Sequence, residues 1–232
     1  MKAKRLDLFH RMRDLNIRNS RIDMHMHTTW TDGKDSLENM VVQAEKNGLT
    51  EIAITDHIRK SSEYYPGYIC AINGICETSH INISIGFEAK VMNKQGDVDI
   101  LDEAANAADF VIASVHRLPY GDCYKLPRDI PYEELINIER DLALAVISKR
   151  HNITVLGHCG GMSIVAYKSF PLEYFEEVIK ECAKMDVVFE YNYKYHYGFE
   201  SEIKDMLYKY NPYVSVGSDA HEIGKIADRS FL

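Results

Sequence analysis

Long apolar runs, paired cysteines and an excess of positive charge are all missing from this sequence. No run approaches the roughly 18 apolar residues of a membrane helix, so we expect no membrane span. The five cysteines are an odd number without a C-x-x-C pair or an apolar secretion segment, which disfavours a disulfide framework and predicts a reducing, cytoplasmic location. The formal net charge of −8 disfavours nucleic acid as a partner, because such affinity comes mostly from Lys and Arg.

Internal repeats, low-complexity tracts and interdomain linkers are also absent. A chain of 232 residues that is 46% hydrophobic can bury a sizeable core and suits a single α/β barrel. We therefore predict one domain over residues 21–232, while the oligomeric state stays open. Residues 1–20 are predicted to be a basic leader, in the form of a short solvated helix, and they include Lys2, Lys4, Arg5, Arg11, Arg13 and Arg18.

Short β-branched runs alternate with longer stretches of helical spacing, the pattern of a parallel sheet wound with helices. Seven runs are candidate strands: residues 21–25, 51–55, 81–87, 110–115, 153–157, 187–191 and 213–217. A helix is predicted from Leu37, where apolar residues recur at helical spacing, to a stop at Gly48. Further helices are predicted over residues 132–150, 171–185 and 199–210. Residues 58–80 and 117–131 are predicted to be long connections, where functional loops concentrate.

Histidines and carboxylates follow the predicted strands at their C-terminal ends. In a parallel barrel these ends converge on one face, where active sites are built. Imidazoles and carboxylates together suit Zn, Mn or Fe, and two or three such ions can activate water and clamp phosphoryl oxygens. A lone histidine after a strand is more often a turn residue, but here almost every strand is followed by a candidate. The candidates are His25, His27, Asp56, His57, Glu88, His116, His158, Asp219 and His221.

Four motifs occur in order along nearly the whole chain: Asp23-Met24-His25-Met26-His27-Thr28, Ile54-Thr55-Asp56-His57, Ser114-Val115-His116 and Gly217-Ser218-Asp219-Ala220-His221. Together they resemble the motifs of the PHP family, the polymerase and histidinol phosphatase-like phosphoesterases. The resemblance implies a distorted seven-stranded (β/α)7 TIM-like barrel, in agreement with the strands counted above. The remaining histidines match no strand end and are interpreted as surface or core residues: His10, His80, His151 and His196.

The resemblance also implies how the ligands divide among two to three divalent ions. The ligands form three sets, with Glu88 bridging the first two: His25, His27, Glu88 and Asp219; Glu88, His116 and His158; and His57, His221 and Asp32. Some family members place a histidine where this chain has Asp32, and the other interpretation of Asp32 is a turn residue before Gly33. Asp23 and Asp56 are interpreted as groups that orient imidazoles.

The predicted activity is hydrolysis of a small phosphomonoester, histidinol-phosphate-like or a nucleotide or sugar phosphate, by metal-activated hydroxide. Glu88, Asp219 and His221 are predicted to be catalytic. Arg117, next to the ligand His116, is predicted to grip the phosphate with its planar fork, and the alternative is a surface arginine paired with an acid such as Asp122.

Two other functions stay open: a PHP-type exonuclease acting on nucleic acid, and a non-catalytic metal-binding module. Histidinol-phosphate phosphatases often place an apolar residue and an aspartate after the histidine that corresponds to His158, whereas this chain has Cys159, Gly160 and Gly161. We also expect little room for a final helix between His221 and Leu232. Both departures weaken the expectation that histidinol phosphate is the substrate.

Overall fold

The computed structural model describes residues 5–17, 20–120 and 123–227, and these ranges hold seven α-helices and eleven β-strands. The helices are α1 (Leu37–Lys46), α2 (Tyr65–Cys76), α3 (Asp102–Ala107), α4 (Tyr132–Lys149), α5 (Gly161–Tyr167), α6 (Leu172–Met185) and α7 (Glu200–Tyr210). The strands are β1 (His10–Arg11), β2 (Ile22–Asp23), β3 (Glu51–Ile54), β4 (His57–Ile58), β5 (Asn82–Lys90), β6 (Phe110–Ser114), β7 (Leu118–Tyr120), β8 (Cys123–Lys125), β9 (Val155–Leu156), β10 (Val188–Asn192) and β11 (Tyr213–Gly217). In these ranges no helix combines the length and the apolar character needed to cross a membrane.

One curled sheet contains all the described strands except the β7–β8 hairpin. Its order is β1-β11-β10-β9-β6-β5-β3-β2, with β4 paired to β5, and its pairings are parallel apart from that of β1 with β11. The Met24 N–H donates to the Val216 carbonyl at 2.8 Å, and the His27 N–H donates to the Ala220 carbonyl at 2.8 Å. The two ends of the sheet therefore come together, and the C-terminal ends of the parallel strands share one face.

The α/β class is confirmed, and each of the seven predicted strands corresponds to a strand of this sheet. The four predicted helices correspond to α1, α4, α6 and α7. The prediction of a connection over residues 58–80 was wrong, because this segment contains α2. Pro66 lies in the first turn of α2, where a missing N–H is tolerated, and the buried Tyr68 and Ile72 lie one turn apart on its inner face. Residues 117–131 hold the β7–β8 hairpin and a short 3-10 turn, but Gly121 and Asp122 lie outside the described residues.

The leader packs against the sheet, so the prediction of a solvated helix was wrong. Strand β1 pairs with β11, with His10 opposite Val214. Phe9 and Met12 are buried, and the Phe9 ring meets the edge of Phe110 with centroids 5.2 Å apart. Both rings belong to a small apolar core that is separate from the main core. This small core also contains Met24, Ala53, Ile112, Val155 and Val188. Residues 1–4 and 18–19 of the leader, with Lys2, Lys4 and Arg18, lie outside the described residues.

Candidate metal centre

The nine predicted metal ligands lie together at the C-terminal ends of the parallel strands, with Glu88 near the end of β5 and His57 in β4. His25 and His27 follow β2 on either side of Met26, which forms an isolated parallel bridge with Ala220. Because regular strand geometry ends there, both rings can reach the same site. Asp219 follows β11 with a φ of 52°, a left-handed backbone conformation that side-chain-bearing residues seldom adopt. Such strain is typical of functional sites, and here it turns the chain so that the Asp219 carboxylate reaches the cluster.

Glu88 lies at the middle of this cluster and is 1% exposed. Its Oε1 faces three imidazole nitrogens: His158 Nε2 at 3.0 Å, His116 Nε2 at 3.1 Å and His25 Nε2 at 3.5 Å. Its Oε2 faces two more: His57 Nδ1 at 3.0 Å and His27 Nε2 at 3.5 Å. The two oxygens thus face different groups of histidines, which is the arrangement required of a carboxylate that bridges two ions.

Three overlapping groups of side chains each bring their ligand atoms within 4.8 Å of one another: His25, His27, Glu88 and Asp219; His57, Glu88 and His116; and His27, Asp32, His57 and His221. The first group is the same as the first predicted set. The predicted second set is also compact, because His158 Nε2 lies 3.3 Å from His116 Nε2 and 3.0 Å from Glu88.

Asp32 lies at the outer side of the cluster, with its side chain 50% exposed. Its Oδ2 is 3.2 Å from His57 Nε2 and 3.4 Å from His221 Nε2. The His221 ring is held from its other side, since Nδ1 lies 2.9 Å from the Asp219 carbonyl oxygen and must donate to it. Nε2 of His221 is therefore the nitrogen that faces Asp32, and Asp32 lies in one of the groups of potential metal ligands.

Carboxylates and imidazoles of the cluster stabilise each other's charged forms. Burial raises the pKa of Glu88, but interactions with the imidazoles of His116 and His25 outweigh it and hold this pKa well below its usual range. Burial lowers the pKa of His57, but hydrogen bonds to Asp32 and Glu88 outweigh it and raise this pKa to about 10. Carboxylates at these distances therefore favour positive charge at the cluster, whether it comes from protons or from bound cations.

The residues of the cluster fit divalent transition metals. Among the described residues, His27 Nδ1 is buried and has no hydrogen-bond partner. Buried polar atoms ordinarily have partners, and coordination to a cation would satisfy this nitrogen. The rings of His25 and His27 also point their Nε2 atoms at each other, 3.1 Å apart. Imidazole and carboxylate donors at such spacing suit Zn, Mn or Fe.

Glu190 orients two of the ligands, and sequence reasoning missed it. This fully buried residue of β10 accepts from His25 Nδ1 at 2.7 Å through Oε1, and from the backbone N–H of His158 at 2.7 Å through Oε2. The first contact leaves His25 Nε2 facing the cluster. An acidic residue inside the apolar run 187–191 was the available signal, because a buried carboxylate requires polar partners.

Asp23 and Asp56 hold loops, so the prediction that they orient imidazoles was wrong. Asp23 accepts from the backbone N–H and hydroxyl of Ser218, at 3.0 and 2.6 Å. Asp56 accepts from the backbone N–H and hydroxyl of Thr28, at 3.0 and 2.8 Å. Both carboxylates therefore fix the segments that carry ligands, and among the described residues neither has an imidazole ring nitrogen as a hydrogen-bond partner.

Two further residues beside the cluster were also missed. Lys194 Nζ lies 2.8 Å from Asp219 Oδ2, and the Tyr195 ring lies 4.5 Å from the ring of His158. Both follow β10, a strand to which no ligand had been assigned. The four histidines left aside by the sequence lie away from the cluster: His10, His80 and His151 are exposed, and His196 is a buried residue whose Nε2 lies 3.0 Å from the Cys159 carbonyl oxygen.

Arg117 is exposed and lines a cavity of about 240 Å³ together with Glu88 and His116. Arg59 and Lys90 add two more cations to the same cavity. Asp122, the acid considered as its surface partner, lies outside the described residues. The side chain is thus placed beside the cluster, as phosphate binding would require.

We expect the protein to take up about one to three transition-metal ions per chain and to release protons as it does so. The pKa values of His57 and His221 are raised, so these rings must lose a proton before they can ligate, whereas Glu88 has a lowered pKa and is already ionised. Metal affinity should therefore rise with pH. Elemental analysis and calorimetric titration in two buffers of different ionisation enthalpy measure both effects. Metal content near zero, with no uptake from Mn or Zn, would contradict the cluster.

Comparison with known proteins gives both sequence and structural relatives. The PHP domain family model matches residues 23–212. A protein of Caldicellulosiruptor saccharolyticus named "Probable phosphatase" is 31% identical over 212 residues, which cover 86% of this chain and 80% of that protein. The DNA polymerase/3'-5' exonuclease PolX of Bacillus subtilis is 30% identical over 110 residues, which cover 40% of this chain and 18% of that protein.

The crystal structure of histidinol phosphate phosphatase from Lactococcus lactis, complexed with Zn, L-histidinol and phosphate, superposes with a TM-score of 0.68 at 21% identity, covering 87% of this chain and 86% of that one. At this identity the likeness shows a shared fold. Relatives named as phosphatases support the prediction that the chain is a hydrolase. With the family model spanning most of the sequence and a relative 31% identical across 86% of it, the chain belongs to the PHP domain family.

Proposed function

We propose that this protein is a metal-dependent phosphomonoesterase that acts on a small phosphorylated metabolite. The observation that carries the proposal is the buried Glu88 carboxylate, which faces five imidazoles beside a cavity lined by cationic side chains. The zinc, histidinol and phosphate in the Lactococcus lactis relative support the same chemistry. The finer description of the fold, a distorted seven-stranded (β/α)7 barrel, is part of this proposal.

Bound divalent ions would supply an activated water and a positive field for the phosphoryl oxygens. In the reaction the water oxygen bonds to phosphorus, the ester P–O bond breaks, and a proton goes to the departing oxygen. We assign Glu88, Asp219 and His221 as catalytic residues because they would hold the ions at the reacting phosphate. Lys194, beside Asp219, places a further positive charge at the edge of the cluster.

A phosphatase screen tests this function most directly. Metal-loaded protein would be assayed for phosphate release from a panel of metabolites with Mn, Zn and Fe, beside a labelled single-stranded DNA. We expect phosphate release from at least one monoester. Nucleotide release from DNA would favour the exonuclease, to which the PolX match over 18% of that protein lends limited support. No activity in a fully loaded protein would favour a non-catalytic metal-binding module.

We expect Arg117→Lys to reduce kcat/KM by about tenfold while metal content is unchanged. Lysine keeps the charge but loses the planar fork that can hold two phosphate oxygens at once. The matched control is Arg128→Lys, since Arg128 is 78% exposed in the same loop and pairs with Asp129. Equal kinetics in the two variants would mean that Arg117 does not bind the phosphate. Phosphate recognition would then depend on the metal centre and other cations.

A further inference from the structure

A second cavity, of about 350 Å³, opens beside the metal centre and shares no lining residue with the cavity that Arg117 lines. It borders the ligands Asp219 and His221. Its other walls include Lys34, Lys194, Lys225, Tyr193, Tyr197 and Glu222. We call it the lysine cavity. Its volume falls within the range of small-molecule sites, and its contact with two predicted ligands means that a molecule in it could reach the cluster.

Positive charge predominates in the lysine cavity. Three ammonium groups line it, against the carboxylates of Asp219 and Glu222. Asp219 Oδ2 is 2.8 Å from Lys194 Nζ, but the other oxygen of Asp219 faces His27 at 3.1 Å, so this carboxylate belongs to the cluster. Glu222 pairs with Lys34, whose Nζ lies 2.6 Å from Oε2 of Glu222, so three ammonium groups stand against two carboxylates.

Tyrosine rings also line the lysine cavity, beside these charged groups. Tyr193 is 5% exposed and forms part of the wall, while Tyr197 is 57% exposed at the opening. Lys194 Nζ lies 4.7 Å from the centre of the Tyr195 ring, so its ammonium is held near the opening by both a ring and Asp219. Tyrosine rings offer flat apolar contacts to a ring of a ligand, and ammonium groups offer hydrogen bonds to an anion.

We propose that the lysine cavity receives the leaving group of the phosphomonoester and selects one that carries a ring and a second negative charge. This inference rests on the proposed function and names its substrate class. A leaving group with an ammonium, as in an amino alcohol, meets three like charges there and is disfavoured. The cavity lined by Arg117 is smaller, at about 240 Å³, and is assigned to the phosphate.

Three aryl phosphates of matched shape test the proposal: 4-carboxyphenyl, 4-carbamoylphenyl and 4-(aminomethyl)phenyl phosphate. The first two differ mainly in charge, so their ratio of kcat/KM reports recognition of the anion. We expect this ratio to be about tenfold in favour of the carboxylate, with the cationic ester slowest. In the double variant Lys34→Gln/Lys194→Gln the ratio should fall close to one, whatever happens to the absolute rates.

Lys184→Gln is the matched control, because Lys184 is 67% exposed and pairs with Glu181, much as Lys34 is 71% exposed and pairs with Glu222. The Lys184→Gln variant should keep the wild-type ratio of kcat/KM between the carboxylate and carbamoyl esters. Calorimetric binding of 4-carboxyphenyl and 4-carbamoylphenyl phosphonate gives a readout that needs no turnover. Hydrolysis of all three esters at equal rates, or equal binding of the two phosphonates, would overturn the proposal that the lysine cavity selects a negatively charged leaving group. Tighter binding of the carboxylate without any hydrolysis would overturn the proposed function and leave the anion preference standing.

Discussion

Glu88→Ala is expected to lower kcat/KM by at least about 10³-fold, or about 4 kcal/mol of transition-state stabilisation. The reason is geometric: one buried carboxylate faces five imidazole nitrogens at 3.0–3.5 Å, so its removal affects more than one ion. Five histidines would also be left to share a site without their central negative charge. Metal content per chain, measured beside the kinetics, should fall in the same variant.

Asp32→Ala is the control for that experiment. Asp32 contacts the outermost group, is half exposed, and would serve a single ion, so we expect a loss of about tenfold. The test is whether Glu88→Ala loses much more kcat/KM than Asp32→Ala. If both lose less than about tenfold, worth 1.4 kcal/mol, Glu88 is not the bridge.

We expect Glu190→Gln to have the second largest effect, because it should lower both the metal affinity and the free energy of unfolding. A glutamine has one acceptor oxygen for three donors, the His25 ring N–H, the His158 backbone N–H and the Asn192 side-chain amide, so at least one buried donor loses its partner. We expect metal affinity to fall by about 10–100-fold. Stability should fall by about 1–3 kcal/mol, and each kcal/mol corresponds to about 2–4 °C in Tm for a chain of this size.

Glu139→Gln separates the two effects of that substitution. Glu139 is also a buried carboxylate, but it accepts from the backbone N–H groups of Met162 and Ser163 at the start of α5, at 3.0 and 2.9 Å. Its replacement should lower the Tm and leave metal content unchanged. If Glu190→Gln lowers the Tm to the same extent and also retains its metal, Glu190 supports the fold and does not orient the ligands.

The sequence could predict that the candidate ligands lie together because parallel strands impose a simple rule. Side chains that follow strands of one sheet lie on the same face, so His57, His116 and His158 could be placed together without knowledge of any distance. Glu190 could not be placed in this way. An acid inside an apolar run indicates a buried carboxylate with polar partners, but the sequence does not say which residues those partners are, Asn192 among them at 2.9 Å.

The two incorrect predictions about the fold have different physical causes. The helix α2 was missed because Gly67 and Gly74 lie within it, and glycine in a helix interior is ordinarily unfavourable. Packing of Tyr68 and Ile72 against the rest of the core outweighs that local cost. The leader was misread because its basic residues suggested solvation, whereas Phe9 and Met12 are buried through contacts that only the folded chain provides. Strand β1 pairs with β11, about two hundred positions later in the chain, and such a pairing leaves no pattern in the sequence near β1.

The pairing of β1 with β11 also determines when this protein can finish folding. His10 meets Val214, and His27 meets Asp219, so both the edge of the sheet and the metal centre join the two ends of the sequence. At a synthesis rate of about 5–20 residues per second, roughly 10–40 s separate the appearance of the two partners on the ribosome. Such long-range contacts make folding slow. Throughout that interval the nascent chain contains His25 and His27 without Asp219, so the first predicted ligand set is complete only after Asp219 has been synthesised.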